Sequence, residues 1–174
     1  MKINSIFLKT VHILFWIVFI GLCIKAGAIL VSLIISLFVN AAGAQDLYLG
    51  LDLSELYGAN KPYYIIIVFL LIALTALKAL ISYFAVKFFS KFNLAKPFNK
   101  EFSNLFIKIS FISLETGILA TIANGISSCI SNQGVNIPIY WASSEILFFA
   151  GIIYLLVLIF KKGIELQSEN ELTI

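Results

Sequence analysis

This sequence predicts an all-α integral membrane bundle of four transmembrane helices, N-in/C-in, with a short amphipathic outer-surface helix. Three observations predict it. Of 174 residues, 61% are hydrophobic and only 12% are charged, whereas a soluble domain carries roughly 25% charged residues to solvate its surface. Four apolar stretches each match a hydrocarbon core of about 30 Å. The lysines gather at one set of connections and avoid the other.

The first stretch runs from Val11 to Val39. Lys2 and Lys9 precede it and Ala42-Gly43-Ala44 mimics a cleavage site, but signal h-regions span only about 7–15 residues, so a retained helix is expected. Tyr63 to Phe89 is the second span, entered through Asn60-Lys61-Pro62. Phe102 to Ile130 is the third and most polar, with Lys108, Ser110, Ser113, Glu115, Thr116, Thr121 and Asn124. Ile139 to Phe160 is the fourth, and it opens on Tyr140-Trp141, an aromatic pair suited to the headgroup level. One membrane domain of 1–174 is therefore expected, with an outer loop at 40–62, a cytoplasmic turn at 90–101 and a cytoplasmic tail at 161–174.

Orientation follows from charge. Lys2 and Lys9 flank the first span, Lys87, Lys91, Lys96 and Lys100 surround the second connection, and Lys161-Lys162 follow the last span. The first connection sets Lys61 against Asp46, Asp52 and Glu55, and the third has no basic residue. The positive-inside bias places both termini and the second connection in the cytoplasm. In the outer loop, Leu49, Leu53 and Leu56 recur at helical spacing within Asp46–Tyr57, which reads as a short amphipathic helix on the membrane surface. The turn Asn93-Leu94-Ala95-Lys96-Pro97-Phe98-Asn99 carries turn chemistry, and Asn99 suits the cap of the third helix.

Composition excludes several classes. All twelve basic residues are Lys; without Arg forks or a basic stripe, direct nucleic-acid binding is not expected. Cys23 and Cys129 lie roughly 20 Å apart in depth, too far for a disulfide. The sole histidine, His12, has no further ligands at metal spacing, so neither metal nor cofactor is expected. His-Glu-x-x-His, Gly-x-Ser-x-Gly and P-loop motifs are absent, and an enzyme is not expected.

The informative residues are the charges inside the spans: Lys25, Lys78, Glu115 and Glu145. Each costs at least about 2.5–3.5 kcal/mol in hydrocarbon unless it finds a partner, a cavity or a neutral state. Gly21, Lys25, Ala28, Ser32 and Ser36 form one stripe of the first helix, and Thr75, Ala79 and Ser82 form another on the second, with Lys78 at its edge. Small and hydroxyl residues mark helix contacts in membranes, so both lysines are expected to face inward. Counted from the cytoplasmic ends, Lys78 and Glu115 lie about 19 Å deep, and Lys25 and Glu145 about 24 Å. Two opposite-sign pairs are therefore expected. The small stripe of the third helix, Ser113, Gly117, Thr121 and Gly125, leaves Glu115 on its opposite face, so that pairing needs protein on both sides.

Four phrases carry a resemblance. They are 21–28 (Gly-Leu-Cys-Ile-Lys-Ala-Gly-Ala), 47–57 (Leu-Tyr-Leu-Gly-Leu-Asp-Leu-Ser-Glu-Leu-Tyr), 93–98 (Asn-Leu-Ala-Lys-Pro-Phe) and the ending at 159–174, Ile-Phe-Lys-Lys-Gly-Ile-Glu-Leu-Gln-Ser-Glu-Asn-Glu-Leu-Thr-Ile. Together they resemble a bacterial four-span membrane family catalogued as domain of unknown function 2975. The resemblance implies residence in a bacterial plasma (inner) membrane and a membrane partner that holds or releases a cytoplasmic helix-turn-helix transcription factor. On that reading the acidic tail, with Glu165, Gln167, Glu169 and Glu171, docks a basic partner. The alternative is a small transporter or channel subunit, a homo-oligomer because four helices enclose little space, with the intramembrane Lys and Glu residues along its path. An assembly factor for another membrane complex is the third reading.

Overall fold

The computed structural model describes residues 2–91 and 100–172, with side chains described over 6–90 and 100–169. Five α-helices appear among them: α1 (Lys2–Phe38), α2 (Ser54–Ala59), α3 (Lys61–Lys91), α4 (Lys100–Ser131) and α5 (Ser143–Leu172), with a 3-10 turn at Ala41–Ala44. Four are long and apolar enough to cross a membrane, over Ile6–Phe38, Lys61–Ser90, Lys100–Ser131 and Ser143–Glu169. The expected turn Asn93–Asn99 with its Asn99 cap, and the side chains of Lys91, Lys96 and Glu171, lie outside the described residues.

The long helices run antiparallel in chain order. α1 packs on α3, α3 on α4 and α4 on α5, and among the described residues α1 has no close backbone approach to α4 or α5. The bundle is therefore open between its first and last helices. Burial agrees: 39% of the most apolar stretch is buried in each of α3 and α4, against 11% in α1 and 17% in α5.

Side-chain periodicity explains the seams. On α4, Ser113, Thr116, Ala120, Ala123, Ser127 and Ile130 are buried. Their spacing alternates three and four residues, the pattern that keeps a seam in contact when helices wind left-handedly. The expected stripe of Ser113, Gly117, Thr121 and Gly125 holds only over its first half, since Thr121 and Gly125 are exposed. Successive steps of four advance about 40° around a 3.6-residue helix, so such a stripe turns off the contact face. On α3 the inward face is as expected, with Thr75, Ala79 and Ser82 buried, whereas on α1 the expected stripe is buried only at Ser36, half-buried at Lys25, Ala28 and Ser32, and exposed at Gly21.

The loop after α1 departs from expectation. Helix α2 covers only Ser54–Ala59, and Leu49 lies outside it, 86% exposed at φ +50°. Leu49 and Gly50 (φ +84°) form the centre of a tight turn with both residues left-handed, a type I′ geometry. Leu47 N–H donates to Leu51 O at 2.9 Å and Gly50 N–H to Asp46 Oδ1 at 2.9 Å. Hydrogen bonds from Ser54, hydroxyl first and backbone N–H second, hold the Asp52 carboxyl below its ordinary range. Instead of lying on the surface, the loop tucks Leu47, Leu53 and Leu56 into the core with Ile29, Leu33 and Tyr64. Burying three leucines at about 1.5–3 kcal/mol each outweighs a surface helix that leaves them half wet.

Polar bonds lock this plug. Ser32 Oγ donates to Leu47 O at 3.2 Å, Tyr57 OH donates to Ser36 O at 2.9 Å, and the Ser36 and Tyr64 hydroxyls are 2.8 Å apart. Gly43 allows the chain to fold back onto α1, because a Cβ there would sit 2.8 Å from the Ser36 backbone nitrogen and 3.0 Å from Ser32 O. Gly43→Ala is expected to destabilise the fold by about 1–3 kcal/mol, read by thermal melts followed by circular dichroism. An unchanged midpoint would mean that the loop shifts freely.

The last helix also differs. It starts at Ser143, after Pro138 and after Ala142 at φ +56°, and runs unbroken to Leu172. Tyr140 and Trp141 thus precede it and part ways: Tyr140 is 79% exposed and Trp141 3%. The expected polar tail is the end of this helix.

Candidate functional site

The register of α1 against α3 is set by ring and hydroxyl contacts. Phe15 stacks on Phe89 at 5.5 Å between centroids, Phe19 meets Tyr83 at 5.8 Å, and Ser36 meets Tyr64. Antiparallel helices in that register bring Lys25 level with Lys78. Both lysines line one cavity of about 270 Å³, together with Leu22 of α1, Leu71, Leu74 and Thr75 of α3, and Tyr48, Leu51 and residues 138–141 of the two loops.

The cavity has an unusual charge balance. Lys25 Nζ lies over the Tyr48 ring at 5.7 Å, a contact worth about 0.5–1 kcal/mol when exposed and more when desolvated. Among the described residues neither lysine forms an ion pair. The Thr75 hydroxyl is committed to Leu71 O at 2.7 Å, and the Trp141 indole N–H to Ser127 Oγ at 2.8 Å. Two amines thus share a groove of mixed polar and apolar lining, and among the described residues no carboxylate pairs with either.

This corrects the expected pairings. Glu145 is exposed and accepts hydrogen bonds from the Tyr140 and Ser144 hydroxyls, not from Lys25. Glu115 is exposed on the face of α4 away from Ser113 and does not meet Lys78. Depth matching fixes only one coordinate. α1 and α5 occupy opposite flanks of the row, and the azimuth of Glu115 turns it outward. The two lysines line one cavity instead.

Sequence reasoning missed Tyr48, Tyr140 and Trp141 as groove walls. Asp46 to Gly50 and Pro138 carried a usable signal, since tight turns before aromatic residues return a loop toward the bundle. His12 is half-buried, and its Nε2 has no partner among the described residues. No group of three or more metal-ligating side chains occurs among the described residues. Cys23 and Cys129 are both exposed thiols.

The other end of the bundle is aromatic. Phe88, Phe102 and Leu105 are buried there with Phe84, Phe89, Phe106 and Phe160 around them, and Lys108 Nζ lies over Phe84 at 5.7 Å. Along the end of α5, Lys162 Nζ bonds Glu165 Oε2 at 3.0 Å, Glu169 is exposed one turn beyond Glu165, and Gln167 is half-buried.

No family model matches the chain, and no curated protein or solved structure does either. The likeness to the four-span family therefore rests on the quoted segments alone.

Proposed function

We propose that this chain is a multi-pass protein of a bacterial inner membrane that regulates by holding a cytoplasmic partner, a helix-turn-helix transcription factor with a basic surface. Membrane residence is supported by four long apolar helices and by large side chains such as Ile17, Ile24, Phe69, Phe111 and Phe148, all more than half exposed. Monomeric soluble proteins rarely expose contiguous apolar surface on that scale.

One observation carries the regulatory reading: α5 leaves its apolar stretch at Phe160 and continues as a single helix through Lys161-Lys162 to Leu172. Such an extension offers a partner a stiff acidic ridge coupled to the bundle. Lys162 and Glu165 are 67% and 61% exposed. A bridge so exposed contributes little to stability, so a basic partner can displace the lysine at little cost.

The transporter or channel reading draws on the two-lysine groove. The aromatic packing toward the other end argues against it, because a path through one copy would have to cross that phenylalanine cluster. Holding a ligand fits the groove better than passing one.

The test is affinity capture of the tagged protein from native membranes after mild crosslinking. A small helix-turn-helix protein is expected to come along and to be lost when residues after Lys162 are removed. Glu165→Gln, Glu169→Gln and Glu171→Gln together are expected to weaken capture roughly tenfold at low salt and less at high salt, as exposed charges do. Undiminished capture by the triple variant would remove the tail from the account.

A further inference from the structure

We infer that the groove between Lys25 and Lys78 is a binding site for the acidic headgroup of a phospholipid. The inference goes beyond the regulatory proposal, because it holds whatever partner α5 engages.

Charge is the first argument. Two lysines on different helices are brought level by the α1–α3 register and line one cavity. Like charges in an apolar setting need a counter-anion or must shed protons. The acids nearest the groove walls are otherwise occupied. Asp46 accepts from Gly50 N–H, Asp52 from Ser54 N–H, and Glu145 from Tyr140 and Ser144. None of the three forms an ion pair with Lys25 or Lys78 among the described residues, so when both amines carry charge the counter-anion comes from outside these residues.

Shape and lining select its source. At about 270 Å³ the cavity falls just below the roughly 300–1,000 Å³ of small-molecule pockets. That volume accommodates a phosphate and its glycerol and leaves acyl chains outside. The walls from Leu22, Leu51, Leu71 and Leu74 are hydrocarbon. They suit the glycerol and first methylenes of a lipid, apolar contacts that a small inorganic anion cannot make. Tyr140, which also lines the groove, donates its hydroxyl to Glu145.

The experiment is native mass spectrometry of the full-length protein released from nanodiscs containing phosphatidylglycerol and phosphatidylcholine in equal amounts. The intact chain is expected to retain one phosphatidylglycerol with a preference of roughly thirtyfold, the scale two lysines confer on acidic-lipid binding. Lys25→Met/Lys78→Met is expected to lose that preference, and Lys108→Met to keep it. Should the double variant lose its helical circular dichroism, Lys25→Gln alone reads the same loss. Equal retention of both lipids by the intact chain overturns the site, as does an equal loss in Lys108→Met. Displacement of phosphatidylglycerol by inorganic phosphate overturns the lipid in favour of a small anion. Removing residues after Lys162 is expected to leave lipid retention unchanged, which separates this result from failure of the regulatory proposal.

Discussion

Trp141→Ala is expected to lower the unfolding free energy by about 3–5 kcal/mol, the range for truncating a buried aromatic residue. Trp141 is 3% exposed and donates its indole N–H to Ser127 Oγ at 2.8 Å. It belongs to the same buried cluster as Ala120, Ala123 and Ile130 of α4, so it fastens the segment before α5 to the bundle. Trp141→Phe separates the two contributions. The ring largely fills the space while the hydrogen bond is lost, and the loss should fall toward about 1–2 kcal/mol. Tyr140→Ala, at a site 79% exposed, should change stability by no more than about 0.5 kcal/mol. Denaturant titration in mixed micelles checks all three. A Trp141→Ala protein as stable as the parent would mean that α5 is held by its helical contacts alone.

Lys25→Met/Lys78→Met is expected to act in the opposite direction. In neutral detergent free of acidic lipid, the double variant should be more stable than the parent by roughly 1–4 kcal/mol, as when buried charges yield to apolar side chains of similar volume. Methionine follows the path of the lysine stem and removes two amines that have no described carboxylate partner. Adding acidic lipid should stabilise the parent and leave the variant unchanged, so the gap should narrow. If the variant instead loses stability in neutral detergent, the lysines contribute to the fold, and the cation–π contact of Lys25 with Tyr48 is the first contact to re-measure. A gain in stability would identify the groove as a place where the chain gives up stability for binding.

The division between sequence and structure is visible in particular residues. Hydropathy and length were enough for the four long helices, because each satisfies its own backbone hydrogen bonds and its apolar run is contiguous. The small-residue stripe through Thr75, Ala79 and Ser82 on α3 was also legible, since helical periodicity is local and straight over two or three turns, and the one on α1 held only toward Ser36, with Gly21 exposed. The α4 stripe was legible only as far as Gly117. There a Cβ would meet Leu147 at 2.6 Å, and beyond it the contact follows the supercoil away from Thr121 and Gly125.

What periodicity and depth could not assign was neighbourhood. Lys25 and Glu145 matched in depth, yet sit on helices at opposite ends of the row. Lys25 and Lys78 shared a sign, yet are brought together by the phenylalanine, tyrosine and serine contacts that set the α1–α3 register. The outer loop escaped for a related reason. The apolar spacing of Leu49, Leu53 and Leu56 fits a helix, but the burial of Leu47, Leu53 and Leu56 under hydrogen bonds from Ser32 and Tyr57 is a long-range gain. By itself, the sequence determined the four long helices and the inward face of α3, because those follow from local hydrogen bonding and the 3.6-residue period. Only the tertiary structure decided which charges share a cavity, because azimuth and helix order are set by packing between segments far apart in the chain.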